Sequence, residues 1–201
     1  MTINPRQSTE SRQAEIISTM VALAAERNPA DITTTDIAKT MNVTQGALFR
    51  HFPTKEAIRL AVAEWIETRL MAELGVAQRA APDALRGLEA MFLAHVQFIR
   101  DFPGVPRLVF AELQQPDSSP VRQRVQKIMQ RYRQTLAEAL DKAKAVQLIR
   151  HDVDSHAAAA LFLGAIQGLV IQSMLGAGTS EAEKQVLGVL RLYLTSLGAK
   201  P

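Results

Sequence analysis

No cysteine occurs among the 201 residues. Disulfides, thiolate metal clusters and cysteine nucleophiles are therefore excluded, and a reducing, cytoplasmic compartment is the expected setting. Catalytic signatures are missing as well: there is no Gly-x-Ser-x-Gly, no His-Glu-x-x-His and no glycine loop that would cradle phosphate. The chain is expected to be no enzyme and to need no cofactor. Strand-like alternation, internal repeats and low-complexity tracts are equally absent, which leaves helices as the building material. No charged segment leads into an apolar stretch near Met1, so no signal peptide is expected.

Charge is missing altogether from residues 157–180. That length reaches the roughly 20 residues a bilayer requires, but Gln167, Gln172 and Ser173 interrupt the run and no basic cluster flanks it. A helix buried on all sides in a soluble bundle fits this pattern, and no membrane association is expected.

Helical periodicity organises the rest. Ile16, Ile17, Met20, Val21, Leu23 and Ala24 form an apolar face on a helix from about Thr9 to Arg27, and Asn28-Pro29 stops it, Asn tolerating a left-handed position and Pro blocking continuation. The run Thr33-Thr34-Thr35 offers an N-cap to a short helix through Met41. Asn42 and Val43 make a tight turn, and Thr44 is placed to cap a second short helix, Gln45 to His51. Two short helices joined so closely make a helix-turn-helix. A linking helix opens at Thr54-Lys55-Glu56 and runs to about Leu70. Further helices are expected from Pro82 to Asp101, Pro106 to Gln114, Val121 to Ala143, Asp154 to Leu175, closed by Gly176 and Gly178, and Ser180 to Leu197.

A recognition helix reads DNA from its N-terminal end, with phosphate donors around it. Gln45 is the base reader, because its amide can pair with adenine in two places; Ala47 packs against a thymine methyl. Gly46 carries no side chain where the helix nears the groove. The hydroxyls of Thr34 and Thr44, together with His51 and Lys55, are candidates for phosphate, while Arg50 reaches phosphate or guanine. Capping alone remains open for the two threonines. Bulk charge supports this weakly: six basic residues stand against five acidic ones through Lys55, and the most basic stretch is 121–150 with eight against two. The basic face from Arg122 to Arg133 reads as a solvated helix face.

The segments Thr34-Thr35-Asp36-Ile37-Ala38 and Val43-Thr44-Gln45-Gly46-Ala47-Leu48-Phe49-Arg50-His51-Phe52-Pro53-Thr54-Lys55-Glu56-Ala57 resemble the TetR family of repressors. The resemblance implies an all-α subunit of about nine helices, a C-terminal dimer interface and an internal pocket for a small molecule. It divides the chain into a helix-turn-helix domain, 1–54, and a ligand-binding and dimerisation domain, 55–201. The family usually has tyrosine where Phe49 stands, a phenol that donates to phosphate; Phe49 can only pack there.

For the pocket, the middle helices supply Trp65, Phe92, Phe98, Phe110, Met129, Tyr132 and Phe162, with His95, Arg107 and Gln167 as polar groups. The same residues at helical spacing also read as plain core. For the dimer, Gly164 and Gly168 form a Gly-x-x-x-Gly beside Ile171, and the last helix is apolar at Val186, Leu190, Tyr193 and Leu197, an arc too wide for one contact. The cluster His151-Asp152-Asp154-His156 reads as a helix start with an Asp154 or Ser155 cap, and no metal site is expected. Together these readings give a homodimer on a near-palindromic double-stranded operator, released by a small hydrophobic effector. The alternative keeps the DNA reader and makes the C-terminal bundle a dimerisation or docking element alone.

Overall fold

The computed structural model describes residues 9–176 and 179–198. Gly178, one of the two expected helix-closing glycines, lies outside them. Among the described residues the secondary structure is helical, with no strand: α1 Thr9–Glu26, α2 Thr34–Thr40, α3 Gln45–Phe49, α4 Lys55–Ala80, α5 Ala84–Asp101, α6 Gly104–Leu113, α7 Pro120–Ala145, α8 Ser155–Met174 and α9 Thr179–Ser196.

The chain forms two compact units. One takes in residues up to Thr68 together with Phe102–Gln126; the other holds Arg69–Asp101 and Lys127 onward. The unit that carries the helix-turn-helix is therefore larger than residues 1–54, because α6 returns to pack on α1. That packing depends on Gly104: a Cβ there would overlap the Val21 carbonyl oxygen and lie 2.9 Å from the Ala25 nitrogen. Only glycine permits the two backbones to come so close.

Local chemistry sets the helix ends. Asn28 does not take the left-handed position expected of it. It is extended, at φ −62° and ψ 124°, and its side chain accepts from the Ala30 N–H to cap a 3-10 turn, Pro29–Asp31. Pro29 supplies the fixed φ that starts such a turn. Of the three threonines, Thr33 is the cap of α2, closing a reciprocal box with Asp36. Those hydrogen bonds, first from the Thr33 side chain and then from its backbone, hold the Asp36 carboxyl below its ordinary 3.8. Asn42, at φ 54°, makes the sharp turn between α2 and α3, a conformation Asn tolerates better than most residues.

The linking helix α4 runs to Ala80, ten residues past the expected end. Asp154 caps α8, accepting from the His156 and Ala157 N–H groups at 2.9 and 3.1 Å. The described residues contain no group of three side chains able to hold a metal. In the second unit Phe92, Phe98, Tyr132 and Phe162 are fully buried, and Phe162 meets Phe92 and Tyr193 edge-to-face at 5.2 and 5.5 Å. Such T-shaped contacts match ring edge to ring face.

Candidate nucleic-acid interface

The N-terminal end of α3 stands open to solvent. Thr44 caps it, accepting from the Ala47 N–H at 3.1 Å. Gln45 and Gly46 are exposed and Ala47 is half-buried, while Leu48 anchors the other side of the helix in the core. Beyond the backbone of its own helix, a Cβ at Gly46 would meet nothing nearer than the Thr44 hydroxyl at 4.0 Å. The packing of this chain therefore places no demand for glycine there.

Gln45 is not a loose side chain. Its amide nitrogen donates to the Thr34 hydroxyl at 2.7 Å, a bond across the turn that ties the start of α3 to the start of α2. Because Thr33 does the capping of α2, the Thr34 hydroxyl is available for this partner. The carboxamide oxygen of Gln45 retains its acceptor capacity.

The remaining sequence candidates divide. Phe49 is 40% exposed, and Arg50 is exposed at the end of α3. His51 is half-buried with its Nδ1 enclosed and without a hydrogen-bond partner, while its carbonyl accepts from the Gln13 amide at 3.2 Å, tying α1 to the end of the reader. Lys55 turns towards its own unit and donates to the Ala30 carbonyl at 3.4 Å. Burial, then the neighbouring Arg59 cation, pushes its pKa below the ordinary 10.5. The Thr54 hydroxyl caps α4 above it, accepting from Ala57 at 3.0 Å.

Sequence reasoning missed the charge pair that braces this unit. Arg59 of α4 grips Glu112 of α6 with both Nε, at 2.6 Å, and Nη2, and Glu112 is 7% exposed. The bond to Glu112 raises the Arg59 pKa above its ordinary value, against the effect of burial. A carboxylate inside the apolar run of α6 was the available signal, since such a group requires a paired cation. A second pair, Arg124 to Glu67 at 2.5 Å, lies in the same unit.

The candidate pocket residues fall in both units. Trp65 stacks edge-on with Phe102 at 5.0 Å and belongs, with Arg107 and Phe110, to the unit of the reader. Phe92, His95, Phe98, Met129, Tyr132 and Phe162 belong to the other. Arg107 and Gln167 are exposed and so are not polar groups of an internal cavity: each sits on the outer face of its helix, beside the inward Leu108 and Ile166. His95 Nδ1 lies 3.1 Å from the Tyr132 hydroxyl, and burial alone pushes the His95 pKa down from 6.5 to about 4.

The dimer candidates split by face. Gly164 and Gly168 are exposed with nothing within 4 Å of a built Cβ, and Ile171 is exposed beside them. Val186, Leu190, Tyr193 and Leu197 are instead buried within the chain, where the Tyr193 hydroxyl donates to the Ala158 carbonyl at 3.2 Å. The outward row of α9 is Leu187, Gly188 and Leu192, with Leu192 72% exposed. Nor is α8 buried on all sides. It is the one described helix long and apolar enough to cross a membrane by length and composition, yet Leu161 and Ile171 are about half exposed, at 53% and 51%.

Residues 16–62, which hold the whole of this reader, match the family "Bacterial regulatory proteins, tetR family", and residues 110–186 match "Tetracyclin repressor-like, C-terminal domain". The chain belongs to the TetR family. Like other TetR-family proteins it is a DNA-binding transcriptional regulator and not an enzyme. Among curated proteins, the nucleoid occlusion factor SlmA of Haemophilus ducreyi is 28% identical over 124 residues, covering 61% of this chain and 61% of that protein. The matched stretch thus spans less than two thirds of that relative. Among solved TetR-fold structures, the fatty acid degradation regulator FadR of Bacillus halodurans superposes with a TM-score of 0.82 at 18% identity, each chain covered fully at 100%. FadR of Bacillus subtilis, in complex with stearoyl-CoA, superposes with a TM-score of 0.78 at 19% identity, covering 90% of this chain and 97% of that one. At such identities the likeness concerns the fold.

Proposed function

We propose that this TetR-family regulator is a cytoplasmic repressor that binds a near-palindromic operator as a homodimer and leaves it when a small hydrophobic molecule occupies its C-terminal helices. The observation that carries the reading is the exposed start of α3, where Gln45 is held by Thr34 and no side chain intervenes at Gly46. Gln45 reads adenine, Ala47 meets a thymine methyl, and Thr34, Thr44, His51 and Lys55 serve phosphate, with Arg50 on phosphate or guanine. Lys55 must leave the Ala30 carbonyl to do so, a bond that at 3.4 Å is long and readily exchanged. Residues 1–54 act as the reader domain and 55–201 as the effector and dimer domain.

Dimerisation is favoured by the uncovered outer faces of α8 and α9, where Gly164, Gly168 and Gly188 would allow close helix approach between copies. Release follows if the effector prefers the dimer conformation whose reader spacing misfits the operator; equal affinity for both conformations would shift nothing. A hydrophobic effector suits the apolar second unit, and Bacillus subtilis FadR is seen in complex with a molecule that carries a long acyl chain, stearoyl-CoA.

A second reading keeps DNA binding without an effector. The likeness to nucleoid occlusion factors favours it, as does the closed edge-to-face packing of Phe92, Tyr132, Phe162 and Tyr193. A genome-wide binding map combined with transcript levels in a deletion strain separates the two. Binding in front of genes that rise on deletion supports the repressor; dispersed binding with unchanged transcripts supports the second reading.

A further inference from the structure

Five residues make α3, and so short a helix closes little of its own hydrogen-bond ladder and takes its direction from its neighbours. Leu48 is its apolar anchor, 1% exposed. Side-chain hydrogen bonds hold the two ends. At the start, the Gln45 amide meets the Thr34 hydroxyl of α2. At the far end the anchor comes from α1, whose Gln13 Nε2 donates to the His51 carbonyl at 3.2 Å across 38 residues of sequence.

That carbonyl depends on its side-chain partner. The His51 and Phe52 N–H groups both turn back to the Leu48 carbonyl, at 3.0 and 3.2 Å, so the chain leaves α3 in a tight turn, where carbonyls need partners from elsewhere. Pro53 has no N–H to give, and among the described residues no backbone N–H donates to the His51 carbonyl. Gln13 itself stands on a fixed platform: it is half-buried, one turn before Ile16, which is fully enclosed.

We propose that Gln13 is a positioning residue for DNA reading, a role that rests on the reading of α3 as the base reader. Its hydrogen bond fixes the end of α3 against α1, as Thr34 fixes the start against α2, and so sets the angle at which the exposed start of α3 meets base edges. Gln13 contacts no base. Hydrogen bonds to base edges weaken steeply as they depart from linear, whereas phosphate contacts carry no sequence information. Loss of the anchor therefore lowers selectivity before it lowers affinity for DNA in general.

Selection from a random duplex library by the full-length protein supplies a preferred duplex. Fluorescence anisotropy then compares it with a shuffled one for wild type, Gln13→Met, Gln13→Glu and Gln45→Ala. Met keeps the length of Gln without a donor; Glu keeps its shape and, ionised at mildly alkaline pH, sets a negative oxygen against the carbonyl. Each Gln13 variant lowers the ratio of preferred to shuffled affinity by about fivefold, the worth of one neutral hydrogen bond. A ratio taken on one sample cancels the fraction folded, so a variant that partly unfolds still decides the matter, and either variant suffices. A lower urea midpoint with an unchanged ratio marks a purely structural bond and overturns the proposal.

Repeating the selection with Gln13→Met flattens preference at base pairs that Gln45→Ala also flattens. Where Gln45→Ala flattens the profile and Gln13→Met flattens only other base pairs, Gln13 has a contact of its own and the proposal is overturned. If Gln45→Ala leaves the ratio untouched while the Gln13 variants lower it, Gln45 is not the base reader and the anchoring of α3 stands. If Gln45→Ala lowers the ratio and neither Gln13 variant does, the base reader stands and the anchor falls.

Discussion

The Gln45 amide and the Thr34 hydroxyl are bonded at 2.7 Å across the turn of the helix-turn-helix. The side chain we propose as the base reader is thus oriented before DNA arrives, and less rotamer freedom remains to be lost on binding. Gln45→Ala should relax preference at one base pair in each half-site, costing about 1–3 kcal/mol against the best operator and little against random DNA. Thr34→Val should produce a milder form of the same loss. Competition binding with single-position operator variants measures both, and equal losses on specific and random DNA would remove Gln45 from base reading.

Phe49 leaves a ring at the surface, 40% exposed, where the resemblance to the TetR family implies a phenol. Phe49→Tyr should tighten binding to all sequences alike by about 0.5–1.5 kcal/mol, the worth of one added hydrogen bond. An unchanged dissociation constant in anisotropy titrations would place the ring away from phosphate.

Gly104→Ala should destabilise the reader's unit, because its methyl would collide with backbone atoms of Val21 and Ala25 that cannot rotate away. A loss of about 1–3 kcal/mol is expected, as for overpacked sites, read as a lower urea midpoint. Gly46→Ala is the control: with open space around it, it should keep stability and lose DNA affinity.

Glu112 and Arg59 should behave as a unit. Glu112→Gln leaves Arg59 with half its partner and costs about 1–3 kcal/mol, less than a fully enclosed pair because Arg59 reaches solvent. A double-mutant cycle with Arg59→Met should show strong non-additivity. Additive losses would mean that the two side chains contribute separately.

Acid should weaken the fold through His95. Its folded pKa of about 4 lies below the ordinary 6.5, so the unfolded chain takes up the proton first. Stability is fully present above pH 6.5 and declines as pH falls towards 4, by up to about 3 kcal/mol at the end of that window. His95→Asn should flatten this part of the pH profile in urea titrations. Below it, Asp36 and Asp154, whose carboxyls lie under 3.8 because of cap hydrogen bonds, take over the loss.

Dimer contact through the outer rows of α8 and α9 predicts that Leu161→Glu or Leu192→Glu yields monomers in sedimentation velocity. Leu190→Glu should instead unfold the chain, since Leu190 is an internal side chain.

The reader was legible because its rules are local. Caps, turn and short helices span only a few residues each, and Thr44, Leu48 and Thr54 do what their positions imply. Which of the three threonines caps α2 is decided by Asp36, which stands three residues after Thr33. Asn28 was misread because a Pro-started 3-10 turn and a stopped helix share the same two letters. Long-range facts stayed hidden: nothing near Gly104 announces Val21, and nothing near Arg59 announces Glu112. On α9 apolar residues occupy both sides, so periodicity identified a wide arc without saying which side faces inward. Tyr193, whose hydroxyl finds the Ala158 carbonyl, settles that orientation.

The bare leucines and isoleucine of α8 and α9 also bear on how the protein is made. A copy leaving the ribosome alone carries Leu161, Ile171, Leu187 and Leu192 in water, and such patches gather other unfinished chains as readily as their proper cover. Scarcity of the protein is then a hazard in itself. With the homodimer proposed above as that cover, a regulator held at few copies per cell spends longest uncovered, and mass action ties its survival to its own abundance.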